Sequence, residues 1–175
     1  MDKRFFLAAS VALTALVAVP AWAEDAKSVD TSIAVMQFDK ATWVKSVASS
    51  NMFEIESSKL ALERASSPDV KKFAQQMVDD HTKAGENLKG VLKSDLPKEL
   101  APKHADALAL LKKAEGADFD AAYMSIQHSA HMEAVTVFRT YAAKPDDPAL
   151  GAFAKETLPT LEMHLEHVKM MVEEG

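Results

Sequence analysis

Four polar side chains fall inside the apolar faces of four segments that have helical periodicity. They are Glu54, His81, His131 and His164. The row that contains His81, for example, is otherwise apolar at helical spacing: Val70, Ala74, Met77, Ala84, Leu88 and Val91. Neutral imidazole and carboxylate groups bind transition metals, and the same groups also pair as a buried acid and base. The pattern therefore predicts one metal site, with a structural hydrogen-bond network as the alternative.

Three further polar residues, Asp80, Gln127 and His167, each lie within four positions of one of these histidines. In metal sites, such neighbours usually hold the ligating rings by hydrogen bonds and thereby fix which nitrogen faces the metal. We expect these three residues in that supporting role. His104 and His128 fall outside the inward rows, and we expect both to be exposed.

The elements that must position these side chains are four long helices and one short helix, which start and stop signals delimit. The first expected helix is capped by Asp39 and ends near Ala65, and the second begins at Ser67-Pro68 and ends near Lys93. A short helix over residues 102–114, closed by Gly116, follows. The last two are a helix over residues 119–143 capped by Asp118 and a helix from Asp147-Pro148 toward Val172. Pro159 is expected to kink or locally open the last helix, because its ring removes a hydrogen bond.

Four long helices without strand-like alternation predict an all-α, ferritin-like four-helix bundle. Residues 94–117 are too long for a tight hairpin, and we expect them to cross over between two helix pairs and carry the short extra helix. Glu54 and His81 are nearly the same distance from the turn at Ser66, so the two side chains belong to one level of the bundle. His131 and His164 differ by somewhat more than one turn.

Several short segments together are typical of a known family. They are Glu54 with Lys59-Leu60-Ala61, Ala65-Ser66-Ser67-Pro68-Asp69-Val70, Met77-Val78-Asp79-Asp80-His81, Phe119-Asp120 with Tyr123, Ala130-His131, and Leu158-Pro159 with His164. Over residues 38–172 the chain resembles a bacterial exported family known only as domain of unknown function number four-one-four-two. Its members are often labelled predicted outer membrane protein and grouped with ferritin-like bundles.

Kinship with ferritin-like bundles implies a di-iron centre, in which two helices each supply a Glu-x-x-His motif. This sequence departs from that pattern, because no histidine has a glutamate three positions before it. A single histidine-rich site for zinc, copper, nickel or iron is the better expectation. Met163, Met170 and Met171 add soft donors that would suit Cu(I), although methionine at helical spacing is more often core. Three histidines and Glu54 would nearly fill the metal's coordination, which favours binding over turnover, so we do not expect an enzyme.

The N-terminus has the three parts of a cleavable secretory signal peptide. Lys3 and Arg4 precede an apolar stretch over residues 5–19, and Ala21-Trp22-Ala23 has the small residues that signal peptidase accepts. Cleavage would leave Glu24 as the mature N-terminus. We expect residues 1–23 to be the signal peptide, residues 24–37 a flexible leader, and residues 38–175 the bundle domain, located in the periplasm.

Charge and cysteine content exclude several functions. The net charge of −6 becomes −7 once Asp2, Lys3 and Arg4 leave with the signal peptide. An acidic surface repels phosphate, so no nucleic-acid partner is expected. The absence of cysteine excludes disulfides, thiolate ligands and cysteine nucleophiles. We expect the mature chain to be a monomer or weak homodimer without membrane insertion, and nothing in the sequence specifies a protein partner.

Overall fold

The computed structural model describes residues 38–174. In this part of the chain, the secondary structure is five α-helices and no strand: α1 (Lys40–Arg64), α2 (Pro68–Leu92), α3 (Pro102–Leu111), α4 (Gly116–Ala143) and α5 (Pro148–Glu174). The predicted all-α bundle is therefore confirmed. The predicted signal peptide (1–23) and leader (24–37) lie outside the described residues.

Two helical hairpins build the bundle. The first hairpin is α1 packed on α2 and the second is α4 packed on α5, while α1 also packs on α4 and α2 on α5. The link between the hairpins contains α3, which lies against α1 and α4. This arrangement confirms the predicted crossover with a short extra helix, in place of a tight turn between the hairpins.

The helix starts at α1, α2 and α5 follow the capping residues that the sequence indicates. The Asp39 carboxylate accepts a hydrogen bond from the Thr42 amide at 2.8 Å, and the Ser67 hydroxyl accepts one from Val70. Asp147 accepts from the amides of the first turn of α5. Each carboxylate or hydroxyl satisfies an amide that has no partner inside its own helix.

Three details differ from expectation. Helix α3 ends at Leu111, three residues early. Helix α4 begins at Gly116, whose φ of 57° suits glycine, so Asp118 lies in the first turn of α4 and does not cap it. Helix α5 runs through Pro159 without a break, so the expected local opening is wrong, while the expected kink stays a prediction. Pro159 is exposed, so the main-chain group that it leaves unbonded faces water, while the buried Ala154 and Leu161 anchor both sides of it.

Two apolar clusters fill the interior of the bundle. One surrounds Trp43 and the other surrounds Tyr123. On each long helix, the buried polar side chains lie between the parts that belong to these two clusters. We call this level the polar layer; its members are Glu54, Ser57, Ser58, His81, Gln127, His131 and His164.

The turn between α1 and α2 is bound to the start of α4 through Asp120. Its carboxylate accepts hydrogen bonds from the main-chain amides of Ser66 and Ser67, the shortest at 2.8 Å. Because these amides precede α2, they have no helical partner of their own. Asp120 therefore joins the first hairpin to the second at the end of the bundle farthest from Trp43.

Replacing Asp120 with alanine is expected to lower the free energy of unfolding by about 1 to 2 kcal/mol, because two main-chain amides lose a charged acceptor. Urea denaturation measures this change. Asp118→Ala in the same turn of α4 is the matched control and should have a smaller effect, since no hydrogen bond of its side chain holds another helix. Equal losses in the two variants would contradict this role for Asp120.

Candidate metal centre

Three histidines from three different helices meet in the polar layer. The ring centroids of His81, His131 and His164 form a nearly equilateral triangle with sides of 5.8, 5.7 and 5.5 Å. One ring nitrogen from each histidine lies within 4.8 Å of those from the other two. Since α2, α4 and α5 each contribute one ring, only the assembled bundle brings the three nitrogens together.

Each ring is held through one of its two nitrogens by an oxygen acceptor. The contacts are His81 Nδ1 with Asn51 Oδ1 at 3.2 Å, His131 Nδ1 with the Gln127 carbonyl oxygen at 2.9 Å, and His164 Nε2 with Asp80 Oδ2 at 2.8 Å. A ring nitrogen that faces such an acceptor carries the proton and donates. The second nitrogen of each neutral ring then keeps its lone pair.

The second nitrogens are buried and have no hydrogen-bond partner. They are His81 Nε2, His131 Nε2 and His164 Nδ1. Leaving a buried polar atom unpaired costs about 1 to 3 kcal/mol, so three such atoms at one point are unusual in a folded protein. A metal ion that accepts the three lone pairs would remove this cost. Metal–nitrogen bonds of about 2.1 Å require nitrogens roughly 3.4 Å apart, so the rings have to close by on the order of 1 Å.

Burial favours the neutral form of two of these imidazoles, His81 and His164. It lowers the pKa of His81 well below the ordinary value, and the neighbouring His131 and His164 lower it further, because a charged ring would be repelled by the others. Burial also lowers the pKa of His164, although the hydrogen bond to Asp80 partly opposes this effect. Neutral rings bind a metal without first losing a proton.

Glu54 is buried in the same layer but is not part of the three-nitrogen group. Burial raises the pKa of its carboxyl group, while the nearby His131 and a hydrogen bond from Gln127 oppose the rise. One carboxyl oxygen, Oε2, has no partner. Glu54 therefore stands next to His131 as a carboxyl neighbour of the site, and its assignment as a fourth ligand stays a prediction.

The supporting residues differ in how they act. Asp80 holds the ring of His164 on α5, although in sequence it stands next to His81. Gln127 acts on His131 through its main-chain carbonyl, and its side chain instead donates to Ser57 Oγ at 3.1 Å. The His167 ring packs against Phe73 at 5.3 Å and bonds to none of the three rings. Sequence reasoning missed Asn51 as the partner of His81, although its amide interrupts the inward row of α1.

His104 is buried, so its predicted exposure is wrong. The Ala101 amide donates to Ser49 Oγ at 2.7 Å, and the Ser49 hydroxyl in turn lies 2.6 Å from His104 Nδ1. The His104 ring also stacks on Phe53, with centroids 5.2 Å apart. These contacts fasten α3 to α1 and give the histidine a structural role. His128 is half-buried on α4 and does not belong to the three-nitrogen group.

The fold and the three imidazoles define a helical-bundle protein with a candidate metal centre. The chain belongs to the family described as Domain of unknown function (DUF4142), whose model matches residues 25–171. The solved structure of CopM in the Cu(II)-bound form resembles it with a TM-score of 0.64 at 16% sequence identity, covering 79% of this chain and 99% of that chain. At this identity the likeness shows a shared fold.

No curated protein sequence matches the chain significantly. Among the described helices, none combines the length and the apolarity that crossing a bilayer requires.

Gly85 lies against the side chain that holds His81. A Cβ atom at Gly85 would stand 2.8 Å from Asn51 Nδ2, whereas a Cβ atom at Gly90 would meet nothing within 4 Å. Alanine at a helix-interior glycine normally stabilises by about 0.5 to 1 kcal/mol. Gly90→Ala should show this gain in urea denaturation, but Gly85→Ala should show none, because the Asn51 amide has to move away from His81. Equal gains would contradict the close approach.

Acid should destabilise the metal-free protein through His81. The unfolded chain takes up a proton near the ordinary pKa of 6.5, but the folded chain does so only at lower pH. The free energy of unfolding therefore has its full value above about pH 6.5 and decreases as the pH falls below it. For one such group, the decrease is up to about 1.4 kcal/mol per pH unit. Denaturation of the EDTA-treated wild type and of His81→Leu should give a shallower pH slope for the variant. An unchanged slope would contradict the lowered pKa. Glu54 contributes a slope of opposite sign to both proteins, so it does not affect this comparison.

Proposed function

We propose that the chain is an exported periplasmic protein that binds one transition-metal ion through His81, His131 and His164. The observation that carries this proposal is the set of three buried imidazole nitrogens, one per ring, that have no hydrogen-bond partner. In a purely structural network, each of these nitrogens would accept a hydrogen bond from another ring or from another side chain. Here every ring already donates to an oxygen, so each of the three inward nitrogens is an acceptor without a donor.

The donor set limits the choice of ion. Three neutral imidazoles suit zinc, copper, nickel or iron, whereas magnesium and calcium prefer oxygen ligands. The solved Cu(II)-bound structure of CopM shows that a bundle with this fold holds copper, which makes copper the first ion to test. Sixteen per cent identity carries no ligand residue across from that protein, so the proposed ligands rest on the geometry of this chain alone.

Glu54 is the proposed fourth ligand. Its unpartnered Oε2 belongs to the polar layer beside His131, and the side chain would have to move toward the rings to bind the metal. The charges near the site also suit a divalent ion, because the carboxylates of Glu54 and Asp80 together would neutralise it among three neutral rings. A divalent charge buried without such compensation is strongly unfavourable.

Nearly complete coordination by side chains favours storage, buffering or structural stabilisation over turnover. The three free nitrogens are shielded from solvent, and three imidazoles with one carboxylate leave at most one position for water. We therefore propose a binding protein and not an enzyme. Cleavage after Ala23 would release it into the periplasm as a monomer or weak homodimer that does not insert into the membrane.

Protein purified from a periplasmic fraction, without any affinity metal, is expected to begin at Glu24 and to contain about one equivalent of a transition metal by elemental analysis.

Loading the EDTA-treated protein with metal should raise its melting temperature. An ion that binds only the folded state, present at 1,000 times its dissociation constant, adds about 4 kcal/mol to the free energy of unfolding. His81→Ala and His164→Ala should abolish this rise.

The matched control is His128→Ala, which removes a histidine outside the three-nitrogen group and should keep the full metal-dependent rise. Glu54→Gln tests the fourth ligand and should reduce the rise without abolishing it. If the EDTA-treated and metal-loaded wild-type proteins melt at the same temperature, the buried histidines form a structural network and the metal proposal is wrong.

A further inference from the structure

A small cavity adjoins two of the three histidines. It has a volume of about 40 Å³, enough for two or three water molecules, and His81 and His164 form part of its wall. Asn51 and Asp80, the partners of these two rings, also line it. His131 does not, and the rest of the wall comes from all four long helices.

A groove on the surface between α2 and α5 lies next to this cavity. The groove has a volume of about 640 Å³. The two spaces share five wall residues: Asp80, Ala84, Phe153, Thr157 and Thr160. These five side chains form the wall between the two spaces, so a shift of these side chains would open a passage from solvent to the rings of His81 and His164. Asp80 stands at the junction, because its side chain is 37% exposed and also bonds to His164.

The charge of the groove favours cations. Its wall contains the carboxylates of Asp80, Glu86 and Glu156 against the single ammonium group of Lys83. A cleft of this sign raises the local concentration of positive ions and speeds their association. The wall of the inner cavity is mainly apolar, with Asp80 as its one carboxylate. An incoming ion would therefore meet Asp80 before it reaches the rings.

The α1–α4 side has only a smaller cavity, of about 20 Å³, next to the inner one. Its one carboxylate, Glu133, is paired with Lys103, so this side lacks the excess negative charge of the groove between α2 and α5. Toward the apolar cluster around Tyr123, the level next to the rings is closed. Phe73 packs near His131, with ring centroids 6.5 Å apart, and is completely buried. Met77, Tyr123 and Gln127 are also completely buried. Close-packed side chains of this size do not let an ion pass without a large local opening.

We propose that the metal ion enters and leaves the three-histidine centre through the passage between α2 and α5, past Asp80. This inference rests on the proposed function and adds its route of exchange. The free nitrogens are shielded even from the adjoining cavity, so the last step requires a ring to turn. His164 is the ring whose hydrogen-bond partner, Asp80, is itself exposed to the groove.

Zinc exchange measured by stopped-flow tests the route. Uptake is followed with Zn²⁺ and EDTA-treated protein, and release with Zn²⁺-loaded protein and an excess of a chromophoric chelator. Thr157→Phe places a large ring in the shared wall and should slow both uptake and release by about tenfold. The dissociation constant should change by less than about twofold, because an obstruction raises both barriers equally.

Thr136→Phe, the same change at an exposed position on α4 outside the passage, is the matched control and should leave both rates as in the wild type. Ala84→Leu adds to the shared wall a side chain smaller than phenylalanine and should also slow both rates. It tests the route if circular dichroism shows that Thr157→Phe folds poorly. Unchanged rates in a folded Thr157→Phe or Ala84→Leu protein that binds zinc normally would overturn the proposed route but not the proposed function. Faster release with weaker binding would also overturn it. Failure of the wild type to bind any of zinc, copper, nickel and iron would overturn the proposed function together with the route.

Discussion

The structure depends on one constraint: three imidazole nitrogens are buried at one point of the bundle, and none has a donor to bond with. Each ring satisfies its other nitrogen with an oxygen, which orients the lone pairs of all three inward. Apolar packing above and below this level has to help hold the rings in place, since no hydrogen bond joins one ring to another. The two core clusters supply that packing. A cation bound by the three unpaired nitrogens would remove the cost of leaving them without a partner and would stabilise the folded state.

The contacts that orient the rings also connect the helices. Asn51 on α1 holds His81 on α2, which joins the two members of the first hairpin. Asp80 on α2 holds His164 on α5, which joins the first hairpin to the second. Only His131 is held within its own helix, by the carbonyl one turn earlier. The unfolded chain has no such site, so binding of a metal at the three rings would be linked to the free energy of folding, as it is in metal-dependent small domains.

Helical spacing was enough to predict the bundle, the crossover and the three inward histidines, because a buried face repeats every three to four residues. Distances across helices were not predictable in the same way. Glu54 and His81 share a level, yet Glu54 lies outside the three-nitrogen group because the rotation and offset of α1 relative to α4 and α5 are set by packing. The burial of His104 depends on α3 lying against Ser49, and ten residues of α3 carry too little pattern to indicate that contact.

The polar layer has a consequence for which bundle the sequence can form. Apolar side chains of similar size tolerate helices that slide past one another by a turn, so a uniform core leaves several registers close in energy. Sliding α5 by one turn here would carry the His164 ring away from Asp80 and into the apolar cluster around Tyr123 or Trp43, where its nitrogens would find no partner. A single buried polar residue fixes register in coiled coils in the same way. The same histidines that reduce the stability of the metal-free bundle thus select one alignment of its four helices.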